Sequence, residues 1–190
     1  MLKTVLCGLV CTGCLGALSV AATAQQVVHA LTGTVRSIDG LSKTIILFQD
    51  NGMEGQFKDM TNSKTRIALD KKIVLETTPA DDFKKQGAYV IVFYYGDNDD
   101  RTAVALKNLG AGPFTAADGT VVKYEGKGHS ISIKDDTGAV QTFKITDQTV
   151  AEGYMGAIEG YKFQADKGDH VRIVGSSDGG TLTALFMREK

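Results

Sequence analysis

Apolar and polar residues alternate along this chain in short runs broken by Gly and Asp, the period-two pattern of half-buried strands. His129-Ser130-Ile131-Ser132-Ile133-Lys134 puts two isoleucines on one face and Ser and Lys on the other. Asp135-Asp136-Thr137-Gly138 supplies a turn, and residues 139–145 return as the partner strand. Residues 43–49, the turn Asp50-Asn51-Gly52 and residues 53–58 have the same form. Further strands are predicted at 89–95, 102–107, 170–174 and 181–188. One segment reads as a short helix. Thr78 can cap it, Pro79 fits its first position, Asp81 and Asp82 suit its start, and Lys84, Lys85 and Gly87 suit its end.

The pattern is written twice. Gly33-Thr34-Val35 recurs as Gly119-Thr120-Val121, and at the same spacing of 86 Gly40, Ile45, Asp50, Gly52, Phe57 and Lys58 meet identical residues. Later the spacing becomes 81, where Gly87, Val90, Thr102 and Ala103 meet Gly168, Val171, Thr183 and Ala184. Two repeats, 31–108 and 117–190, follow from this, joined by a Gly/Pro linker at 109–116. The first repeat carries extra residues around 70–76. Short strands with regular Gly turns predict an all-β fold of two small barrels, with at most one short helix per copy. Closure removes the edges a short meander would expose.

One repeat calibrates the other. In the second, Ile131, Ile133, Val171 and Ile173 must face inward, because Ser, Lys, His170 and Arg172 lie between and beside them. The same register in the first repeat sends Ile45, Leu47, Val90, Val92 and Tyr94 inward. It leaves Ile46, Phe48, Tyr89, Ile91, Phe93 and Tyr95 on the outer face. Each of these large side chains gains roughly 1.5–3 kcal/mol on full burial. The face is therefore expected to dock on the second repeat, with residues 153–163 as one docking segment, or on a second chain. Its other use would be as an aromatic ligand platform.

The first residues form a leader. Lys3 precedes an uncharged, small-residue apolar run to Val20, and Ala22-Thr23-Ala24 predicts cleavage between Ala24 and Gln25. Residues 1–24 are thus read as an export signal. The alternatives are lipidation at Cys14, after Cys11-Thr12-Gly13, or an uncleaved anchor. All three cysteines, Cys7, Cys11 and Cys14, leave with the leader, so the expected mature chain has neither disulfide nor thiolate. The net charge of −1 becomes one unit more negative without Lys3, which gives no electrostatic drive toward nucleic acid. No transmembrane segment is expected in the mature chain.

Candidate chemistry is sparse. His29 falls in the mature N-terminal tail, while His129 and His170 align with Lys43 and Tyr89, so paired metal sites are not indicated. Asp97, Asp99 and Asp100 offer oxygen ligands for Ca²⁺ without the spacing of an EF-hand. No G-x-S-x-G occurs, and paired carboxylates sit in turns. No cofactor and no catalytic residue are assigned.

Gly119-Thr120-Val121, Gly168-Asp169-His170-Val171 and Thr181-Leu182-Thr183-Ala184 resemble a bacterial family of exported domains of unknown function with an OB-like barrel. In the first repeat, Gly87-Ala88-Tyr89-Val90 lacks the Asp of that turn. The resemblance implies a scaffold rather than a reaction. The expected function is a non-catalytic binding or interaction module, periplasmic or secreted, for a small molecule, a glycan or a protein. The alternatives are an assembly component using the outer face of the first repeat, and an enzyme of unknown type.

Overall fold

The computed structural model describes residues 27–59, 76–126 and 129–190. The leader, its cleavage site, Cys14 and nearly all of the insertion at 70–76 lie outside these residues.

The fold is all-β, in two sheets. The first unit contains β1 (His29–Asp39), β2 (Thr44–Gln49), β3 (Glu54–Asp59), β4 (Thr78–Pro79), β5 (Tyr89–Tyr95) and β6 (Thr102–Asn108). The second contains β7 (Phe114–Glu125), β8 (Ser130–Lys134), β9 (Val140–Lys144), β10 (Val150–Gly153), β11 (Gly156–Glu159), β12 (His170–Asp178) and β13 (Thr181–Glu189). Their orders are β3-β2-β1-β5-β6-β4 and β11-β10-β13-β12-β7-β8-β9. Parallel pairing of β3 with β6 and of β9 with β13 closes each sheet on itself.

Five strands of each unit, β3-β2-β1-β5-β6 and β9-β8-β7-β12-β13, share their order and their irregularities, whereas β4 runs antiparallel to β6 and β10 parallel to β13. The β1–β2 and β7–β8 ladders slip at Val35/Ser37 and Val121/Lys123, and β5–β6 and β12–β13 slip at Phe93/Tyr94 and Val174/Gly175. Gly33 and Gly119 occupy one kind of place. A Cβ there would lie 2.7 Å from the Phe48 carbonyl oxygen or 2.5 Å from that of Lys134, so only Gly permits the strand crossing. Inside, Leu31, Val35, Ile45, Leu47, Phe57, Val90, Val92 and Leu106 form one core, and Val121, Ile131, Ile133, Phe143, Val171, Ile173 and Met187 the other.

Three expectations need correction. The segment read as a helix is a two-residue strand followed by a single 3-10 turn, Ala80–Asp82. Pro79 is extended (φ −51, ψ 145), Thr78 and Pro79 pair with Leu106 and Ala105, and Ala80 and Phe83 are buried in the core. Tertiary pairing overrides the local capping chemistry. The stretch read as a linker is shorter, because Phe114, Thr115 and Ala116 already pair with Ser176, Gly175 and Val174. His29, read as part of a tail, opens β1 and pairs with Tyr94.

A third core joins the units. Ala30, Ile91, Phe93 and Ala105 of the first pack with Val150, Val174 and Phe186 of the second.

Candidate functional site

The junction is built from two outer faces whose rows match. On the first unit, Ala30, Phe93 and Ala105 lie side by side across β1, β5 and β6, and Thr32, Ile91 and Lys107 form the next row. On the second, Val174, Phe186 and Val150 make an apolar row across β12, β13 and β10. Beside it runs a charged row of Asp118, Arg172, Arg188 and Glu152. Period-two alternation puts both rows on the same face.

This arrangement divides the six predicted outer-face residues. Ile91 and Phe93 have no solvent exposure. Tyr89 is half-buried, its ring 4.9 Å from that of Phe114. Ile46 and Tyr95 are also half-buried, and Phe48 remains 49% exposed. Of the segment 153–163, Ala157 packs against the junction core, whereas Tyr154 and Met155 point to solvent.

Polar bonds rim this contact. Glu152 accepts from the Ala30 backbone N–H at 2.6 Å and meets His29 Nδ1 at 2.6 Å. Ala157 N–H donates to the Val28 carbonyl at 2.7 Å, and Gly156 leaves room for it, since a Cβ there would lie 2.3 Å from that oxygen. Lys107 donates to the Gln148 carbonyl at 2.9 Å and pairs with Glu76 at 2.5 Å. Asp50 accepts from Thr32 at 2.5 Å and from Tyr89 at 2.6 Å. Arg172 pairs with Asp118 at 2.6 Å and reaches toward the Asp50 carbonyl at 3.4 Å. Between the units, Arg172 and Arg188 help line a crevice of about 10 Å³, and their Nε atoms are buried without a hydrogen-bond partner.

Burial raises the Glu152 carboxyl above its ordinary value, against the opposing pull of His29, the Ala30 amide and Arg188. Burial also raises the Tyr89 phenol, with the bond to Asp50 adding to the effect.

Next to the junction, at the end of the first unit, a groove of about 360 Å³ opens between the β2–β3 and β5–β6 turns. Arg101 lies in its wall. The guanidinium carbon sits 4.6 Å above the Phe57 ring centre and 5.8 Å from that of Tyr94, while Nε donates to the Asn98 carbonyl at 2.8 Å. Phe57 and Tyr94 meet edge to face at 5.3 Å, and burial raises the Tyr94 phenol. Gly55 makes the space. A Cβ there would lie 2.2 Å from Gln49 Nε2 and 3.1 Å from Arg101 Nη2. Glu54, also in the wall, is paired with Arg36.

The second unit fills the corresponding place differently. Leu182 pairs with Phe143 where Arg101 lies over Phe57. Gly175 follows the bulge where Tyr94 stands, and a Cβ on it would lie 2.9 Å from the Phe143 ring. Gln141, paired with Ile133, takes the place that Gly55 holds opposite Leu47.

Of the predicted calcium ligands, Asp97 precedes a 3-10 turn, Asn98–Asp100, and lines the groove. Asp100 is bound to Lys58 at 2.5 Å, and that bond holds its carboxyl below the ordinary range. The Asp99 side chain lies outside the described residues. Among the described residues no three His, Cys, Asp or Glu side chains gather as a metal site. His170 is exposed, and the His129 ring lies 4.6 Å from that of Tyr161.

Arg101, Gln49, Gly55 and the His29–Glu152 pair were not singled out by the sequence pattern. The signal that marks Arg101 is the mismatch between the two units, Arg against Leu182, just before the matching Thr-Ala pairs. The chain matches no protein-family model and no curated protein.

Proposed function

We propose that this chain is an exported, non-catalytic binding module of the bacterial cell envelope. In this reading it consists of two OB-like barrels derived from one duplicated domain, cleaved after Ala24. It holds a small polar ligand in the groove at the end of the first barrel. The observation that carries the reading is the groove itself, about 360 Å³ and walled by Tyr94, Arg101, Gln49, Asn51 and Asn98 together with the carboxylates Glu54 and Asp97. An aromatic ring, a fixed cation and side-chain amides are the groups that orient a polar ligand. OB-like barrels bind ligands beside the loop joining their last two strands, and the turn carrying Asp97 and Asn98 occupies that place.

Ile91 and Phe93 are occupied within the chain, so an aromatic platform or an assembly surface built on them would require the barrels to part. The perturbed groups Glu152 and Tyr89 are accounted for by barrel packing and require no reaction to explain them.

The test is nuclear magnetic resonance of the chain from Gln25 onward with a panel of sugars, amino acids and short peptides. The expected result is saturable shifts at the Tyr94, Arg101 and Asn98 amides. Shifts confined to other surfaces, or none across the panel, would overturn the reading.

A further inference from the structure

We infer that the groove of the first unit is a carboxylate-recognition site, with Arg101 as the group that receives the anion. The inference rests on the binding-module reading and specifies its ligand chemistry.

Three independent observations converge on Arg101. First, it is held in place before any ligand arrives. The ring of Phe57 supports the guanidinium from below at 4.6 Å, Tyr94 flanks it, and the Asn98 carbonyl fixes Nε at 2.8 Å. A guanidinium held through its face, its Nε and the Tyr94 hydroxyl keeps further terminal N–H groups with which to bond a carboxylate. Second, among the described residues Arg101 makes no ion pair, whereas Arg36 is bound to Glu54 and Arg172 to Asp118. Of the two carboxylates in the groove wall, Glu54 is engaged by Arg36, and Asp97 stands on the turn that also carries Asn98. Third, space is kept for Arg101. Gly55 has no side chain where a Cβ would meet Gln49 Nε2 and Arg101 Nη2. Gly55 is not demanded by a left-handed backbone, unlike Gly52 (φ 83) or Gly96 (φ 86), so close approach is what it provides.

The second unit is the internal control. It closes the same end with Leu182 on Phe143, so the fold does not need a cation there. A structural cap can be apolar; the cation in the first unit is an addition to that cap. Gln49, only 8% exposed, brings an amide alongside, suited to a carbonyl or hydroxyl next to the carboxylate. The shared chemistry is thus a carboxylate beside a second polar group, as in a peptide C-terminus or an acidic sugar.

Calorimetric titration at neutral pH with N-acetyl-alanine and glucuronic acid, and with N-acetyl-alaninamide and glucose as uncharged counterparts, separates the outcomes. We expect one acid to bind and its neutral counterpart to bind at least about tenfold more weakly, the share of a charge-assisted bond. Binding of N-acetyl-alanine alone identifies a peptide terminus as the source, and binding of glucuronate alone an acidic sugar. Arg101→Leu, which installs the residue the second unit uses, is expected to fold and to lose at least about tenfold in affinity. Should that variant fail to fold, Gly55→Ala keeps the charge but displaces Gln49 and the guanidinium, and is expected to weaken binding likewise. Unchanged affinity in a folded Arg101→Leu overturns the inference, as does the absence of binding by either acid. Equal binding of acid and neutral form also overturns it, yet leaves the binding-module reading standing, which the wider panel decides separately.

Discussion

The two units share the order of five strands (β3-β2-β1-β5-β6 and β9-β8-β7-β12-β13) and the same bulges, yet their outer faces and open ends differ. On β5 the outer row is Tyr89, Ile91 and Phe93; on β12 it is His170, Arg172 and Val174. One unit presents an aromatic face, and the other presents a short apolar row bordered by Asp118, Arg172, Arg188 and Glu152. At the open end, Tyr94, Arg101 and Gly55 stand against Gly175, Leu182 and Gln141. The core holds what the two units have in common. What differs is where they meet each other and where a ligand can enter.

The largest expected effect tests the junction. Phe93→Ala removes a ring with no exposure and should destabilise the chain by about 3–5 kcal/mol in urea denaturation. Phe48→Ala, on the same predicted face but half exposed, should stay within about 0.5 kcal/mol. Equal costs at the two positions would break the division of that face.

The next effect tests the polar rim. Glu152→Ala leaves the Ala30 amide and His29 without their carboxylate, and should cost about 1–3 kcal/mol. Tyr89→Phe, which removes a single bond to Asp50, should cost about 1 kcal/mol by the same assay.

The smallest effect is a slope. The folded chain binds the Glu152 proton more tightly than the unfolded chain, whose ordinary value is 4.5. Between that value and the raised folded one, stability from this group therefore falls as pH rises. Exposed carboxylates such as Asp39, Asp100 and Asp135, whose values are lowered, act in the opposite sense. The difference between wild type and Glu152→Gln reports this carboxyl together with its partner His29. Denaturation midpoints measured across mildly acidic pH should show wild type losing stability relative to Glu152→Gln as pH rises.

Much of the architecture was legible because alternation is local. Ser130-Ile131-Ser132-Ile133 determines its own inner face, and the spacing of 86 transfers that register to Ile45 and Leu47, both fully buried. The segment at Thr78 misled because its capping residues are local while its structure is not. Pro79 is held extended by Ala105, and Phe83 is drawn into the core. The groove was illegible for a related reason. Arg101 reaches Phe57 only because β3 and β6 run parallel, and His29 meets Glu152 across 123 residues. No pattern within either segment announces those contacts. Comparison of the two units would have marked Arg101, since the second places Leu182 at the matching position.

The central claim is that the aromatic face of the first unit is an internal surface of one body made by both units. Thiol labelling tests it directly, because the chain from Gln25 onward contains no cysteine. Ala105→Cys, in the junction core, should react only as fast as the protein unfolds, whereas Phe48→Cys should react at once. Rapid labelling of Ala105→Cys in the folded protein, at a rate comparable to Phe48→Cys, would contradict the account.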